Sequence, residues 1–64
     1  MKFEVPTEDK FIQRLKYGYT LNNELIEWLK ENYKDEYHIR IDKSSISIEF
    51  NDYVDLTLFI LRWG

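Results

Sequence analysis

Sixty-four residues, 1–64, make a single domain, of a size that buries only about 60% of the surface its unfolded chain exposes. With no cysteine, neither a disulfide framework nor a thiolate metal site can reinforce it, and a reducing cytoplasm is the expected setting. Nine basic residues against twelve acidic ones, interspersed along the chain, leave a net charge of −3, a balance that argues against binding driven by phosphate neutralisation.

From the start of the chain, Lys2–Val5 has the composition of a short strand, with charges that leave no room for the apolar segment of a signal peptide. Pro6 stops it, and Thr7 with Glu8 and Asp9 has the composition of a helix N-terminus. A short first helix is therefore expected between Thr7 and Gly18, with Phe11, Ile12 and Leu15 on its apolar face. Its basic side is Lys10 and Arg14, with Lys16 nearby. Thr20 is the expected cap of a second helix, in which Leu21, Leu25, Trp28, Leu29 and Asn32 share one side and Glu24, Glu27, Lys30, Glu31 and Lys34 the other. Two helices about Gly18 have the order of a helix-turn-helix, but the acidic solvent face of the second is unsuited to a major groove.

Tyr37–Asp42 and Ile46–Asn51 then alternate strictly between apolar and polar residues. A turn at residues 42–45 sets Ile41 against Ile46, Ile39 against Ile48 and Tyr37 against Phe50, so one hairpin register satisfies all three inward pairs. The same register puts His38 across from Glu49, where a cross-strand ion pair is the expected role of the single histidine. In the last segment, residues 53–63, apolar groups run nearly all round, with Asp55 and Arg62 as the polar stripe of a helix. A third strand is the alternative, but a two-residue turn there sets Ile48 against Asp55, and a three-residue loop sets Glu49 against Asp55. Asp52 as N-cap, Asp55 in the first turn and Arg62 in the last suit a helix without those conflicts. The longest uninterrupted apolar run, at 56–61, is far short of the ~20 residues of a membrane span.

One histidine and no cysteine leave neither a histidine pair for a metal nor a His-Cys nucleophile system, and no nucleophile–base pair, metal cluster or phosphate loop is recognisable in the chain. No catalytic, cofactor-binding or metal-binding residue is therefore expected. The eleven aromatics are the more unusual feature, because tyrosine and tryptophan cover much area at low entropic cost and are enriched at interfaces. Tyr17, Tyr19, Tyr53, Leu56, Ile60 and Trp63 are the candidate interface residues, although for Trp63 closure of the core is the expected role ahead of partner contact.

The ending Asp55-Leu-Thr-Leu58-Phe59-Ile-Leu61-Arg62-Trp63-Gly64, after a strand closing in Phe50 and an acidic cap, resembles the C-termini of small uncharacterised accessory proteins of contractile-tailed phages. Those close in an Asp-x-x-Leu-Phe-Lys-Leu-Arg/Thr-Trp pattern. Here Ile60 stands in place of the usual Lys and Leu56 in place of the usual Ala. The resemblance implies a phage-encoded protein of the host cytoplasm and transfers no catalytic residue.

The expected fold is α+β, a small two-layer domain in which an antiparallel, hairpin-centred sheet packs with two or three helices. The expected function is a non-enzymatic protein-binding factor that modulates or inhibits a host protein such as a polymerase, nuclease or defence component. A homodimer is expected, because one small sheet can bury only one side of the last segment. The alternative is a nucleic-acid-binding module that uses tyrosine stacking beside the basic face of the first helix.

Overall fold

The computed structural model describes residues 1–64. Its elements run β1 (Lys2–Glu4), β2 (Ile12–Leu15), β3 (Gly18–Leu21), α1 (Asn23–Tyr33), β4 (Tyr37–Ile41), β5 (Ile46–Phe50) and α2 (Tyr53–Trp63). The fold is α+β: an antiparallel sheet in the order β1-β5-β4, a separate β2-β3 hairpin, and two helices.

The β4–β5 hairpin has the register the alternation dictates, with Tyr37 opposite Phe50, Ile39 opposite Ile48 and Ile41 opposite Ile46. A slip of one residue would turn all of these side chains to the other face. On its other edge β5 takes β1, pairing Phe3 with Ile48, and the ladder extends through Val5 N–H to the Ile46 carbonyl and Phe50 N–H to the Met1 carbonyl. As the central strand, β5 is buried at Ile46, Ile48 and Phe50 on the core face and also at Ser47 on the other. Ser47 lies between Glu4 and Arg40, a position where a small residue is sheltered by longer neighbours. Ile41 pairs with buried Ile46 but is itself exposed, at the end of the edge strand.

His38 does sit across from Glu49, but the expected ion pair between them is not made. Arg40 takes Glu49 instead, at 3.1 Å, while His38 Nδ1 lies 3.3 Å from the Tyr37 carbonyl. A guanidinium diagonal to the carboxylate reaches it better than the short imidazole directly opposite.

The first helix expected between Thr7 and Gly18 is absent, and with it the basic helical face. Only one turn of it exists: the N–H groups of Phe11 and Ile12 both donate to the Glu8 carbonyl, at 2.8 and 3.0 Å. From Ile12 the chain is extended, and β2 pairs with β3 from Ile12–Leu21 to Leu15–Gly18 around Lys16-Tyr17. Gly18 has φ +145°, a conformation open essentially to glycine alone, so it shapes the hairpin rather than ending a helix. Tertiary burial decides the matter. As a hairpin, the segment sends Phe11, Ile12 and Leu21 into the core and leaves Leu15 outside. Lys10 and Lys16 lie over the neighbouring Phe11 and Tyr17 rings, and Arg14 pairs with Asp9 at 3.6 Å.

Thr20 therefore lies in β3, and the cap of α1 is Asn22, whose Oδ1 accepts from the Glu24 N–H at 2.9 Å. Leu25, Leu29 and Tyr33 are the buried side of α1, Trp28 is half-buried and Asn32 is exposed. The C-terminal segment is the helix that register arithmetic favoured, with Asp52 as its cap. Phe59 and Trp63 enter the core and Leu56 packs partly against it. Phe59 is the hub of the aromatic packing, with ring centroids 4.9 Å from Phe3, 5.3 Å from Phe50 and 6.0 Å from Trp28. No helix is long and apolar enough to cross a membrane.

Candidate interaction surface

Only two residues, Asn51 and Asp52, separate β5 from α2, so the strand fixes the helix's position and the Asp52 cap its start. With Phe59 and Trp63 in the core and Leu56 beside them, helical periodicity of 3.6 residues per turn places Val54, Leu58 and Leu61 on the opposite side. Those three are 64%, 50% and 78% exposed. Their spacing, i, i+4 and i+7, makes a continuous outward apolar seam, the pattern of a helix that packs on two sides rather than one. Tyr53 and Ile60, also exposed, flank the seam on one side, and Asp55 and Arg62 flank it on the other.

On the Asp55–Arg62 flank a groove of about 390 Å³ opens between α1 and α2, lined by Trp28, Tyr33, Asp55, Leu58, Leu61 and Arg62 together with Asn32. Its aromatic wall is ordered. Trp28 packs edge-on to Tyr33 and Trp63, and Arg62 lies 4.8 Å over the Trp63 ring. The Tyr33 hydroxyl donates to the Asp55 carbonyl at 3.0 Å, tying α1 to the first turn of α2. Burial, and then the negative Asp55 carboxylate, push the Tyr33 hydroxyl above the ordinary tyrosine value, because both disfavour the phenolate. Asp55 Oδ2 is buried with no hydrogen-bond partner, as is Trp63 Nε1.

A second apolar patch lies where the two hairpin tips meet. Leu15, Tyr17 and Ile41 are all exposed, Tyr17 at 90%, around a notch of about 230 Å³ also lined by Tyr19, Lys43 and Ile46. The Tyr19 hydroxyl donates to the Ser44 carbonyl at 3.2 Å, clamping the β2-β3 hairpin to the β4–β5 turn.

The six candidate interface residues thus separate. Tyr17 and Tyr19 stand together at the hairpin tips, Tyr53 and Ile60 on the free flank of α2, and Leu56 and Trp63 on its core side. The sequence reading did not single out Val54, Leu58 and Leu61 as the outward set, although once Phe59 and Trp63 are placed inside, the helical period alone identifies them. No group of three His, Cys, Asp or Glu side chains is gathered where it could hold a metal ion. Comparison with known proteins finds no matching family model, no matching curated protein and no matching solved structure. The chemistry of these two surfaces therefore carries the functional reading.

Proposed function

We propose that this protein is a small non-enzymatic protein-binding factor that acts by stoichiometric contact. The observation that supports it is the division of the apolar side chains. Eleven buried residues form the core, and the large apolar side chains left exposed, Met1 apart, lie on α2 or at the hairpin tips, an exposed apolar area of the kind that favours association. The C-terminal resemblance to proteins of contractile-tailed phages supports a host protein as the target, a polymerase, nuclease or defence component that the factor modulates or inhibits, and the host cytoplasm as the setting.

The test is affinity capture from a bacterial host lysate with the wild-type chain and two surface variants, Tyr17→Ser and Leu61→Glu. Both positions are exposed, so circular dichroism should show the fold retained. A host protein held in stoichiometric amount by the wild type and lost from at least one variant is the expected result. Identical capture by all three proteins, or none by any, would refute the reading.

A further inference from the structure

The two flanks of the α2 seam differ in a way that selects its occupant. Asp55 and Arg62 lie on the same flank, seven residues apart and therefore nearly one above the other along the helix, while Tyr53 and Ile60, also seven apart, lie on the opposite flank. When two copies of such a helix pack antiparallel about a two-fold axis, each flank meets the same flank of its mate, running the other way. Asp55 of one copy then comes level with Arg62 of the other, and this happens twice. Leu58 meets its own copy near the axis, with Val54 against Leu61 on either side. The charged groups that border the contact each find their opposite, and the apolar seam meets an apolar seam. In a parallel two-fold pair each flank would face the opposite flank of its mate, so Asp55 and Arg62 would meet no charged partner.

We infer that α2 pairs with α2 of a second copy, antiparallel and centred on Leu58, with reciprocal Asp55–Arg62 ion pairs closing one flank. Asp55 fits this role independently of the helical geometry. It lines the groove that opens on the same flank. The guanidinium of Arg62 from the second copy enters that groove to meet it, beside the Trp28 ring. The dimer rests on the reading of the outer face of α2 as an interface, and it leaves the tip patch of Leu15, Tyr17 and Ile41 free on each copy for the target.

The chain has no cysteine, so one introduced thiol reports one position. In the folded full chain, Leu58→Cys should oxidise to a covalent dimer with itself. Leu61→Cys should not, yet it should link to Val54→Cys when the two variants are mixed. Sedimentation of the wild type should show a concentration-dependent dimer. Arg62→Glu should raise its dissociation constant by at least about tenfold, since it replaces two attractive contacts with two repulsive ones. A wild-type monomer at all concentrations would overturn the dimer, as would self-linking of Leu61→Cys in preference to Leu58→Cys. If such a monomer still captured a host protein and Leu61→Glu abolished that capture, the protein-binding function would stand and only the self-pairing would fall.

Discussion

Phe59→Leu should be the most informative single change in the core, and its size follows from the packing. The Phe59 side chain has no solvent exposure and its ring holds together elements from both ends of the chain, touching Phe3 of β1, Phe50 of β5 and Trp28 of α1. Truncation to alanine would cost about 3–5 kcal/mol, against a total stability of roughly 3–10 kcal/mol for a domain of this length. That variant is expected to be largely unfolded and of little use for measurement. Leucine keeps most of the apolar volume and loses the edge-on aromatic contacts, for a cost of about 1–2 kcal/mol. In a domain this small each kcal/mol lowers the melting temperature by about 4–8 °C, so a drop of roughly 5–15 °C is expected by circular dichroism, with a matching fall in the urea midpoint. Glu27→Ala, on the exposed side of α1, should change stability by less than about 0.5 kcal/mol. Equal midpoints for the two variants would mean that Phe59 is not the hub, and the assignment of the inner and outer faces of α2 would fail with it.

Two further outcomes test the joints between elements. Asn22→Ala should cost about 1 kcal/mol in urea denaturation while Asn22→Asp keeps the cap; no difference between them would place the start of α1 elsewhere. Tyr33 links pH to stability through its raised ionisation. Because the folded state holds the hydroxyl proton more tightly than the unfolded chain, whose tyrosine titrates near 10.0, its contribution is fully present below that value and is lost as pH rises through the higher folded one. Tyr33→Phe should therefore flatten the alkaline decline in the urea midpoint, besides losing about 1 kcal/mol at neutral pH with the hydrogen bond to Asp55. An unchanged alkaline slope would show that Tyr33 is not desolvated.

The parts of the fold legible in the sequence are those where local pattern and tertiary demand agree. Strict alternation over Tyr37–Phe50 permits one register, and the acidic and basic ends of residues 52–62 complement a helix dipole, so the second hairpin and α2 are read correctly. At residues 7–18 the two disagree. Phe11, Ile12 and Leu15 fit a helical stripe, but the core takes only the first two and leaves Leu15 in solvent. The signal for the hairpin was Tyr17-Gly-Tyr-Thr-Leu21, rich in strand-forming residues around a glycine. The candidate surface was half legible for a related reason. An all-round apolar pattern marks both sides of the helix as apolar, yet which residues face out depends on where Phe59 finds its partners, and those lie as far away in the chain as Phe3.

The pairing of β1 with β5 also sets an order of assembly. The Met1 amino group bonds to the Phe50 carbonyl across 49 positions of sequence, so this side of the sheet closes only when residues as far apart as these meet. The hairpin next to it needs only the short turn between Ile41 and Ile46. Bringing β1 to the sheet encloses a loop about ten times longer, which costs roughly 2 kcal/mol more in chain entropy, and the gain that offsets it comes largely from Phe3 meeting Phe59 and Ile48. Residues 1–4 are thus held in place by strand β5 and by Phe59, and the fold closes by long-range contact even though most of its pieces are local.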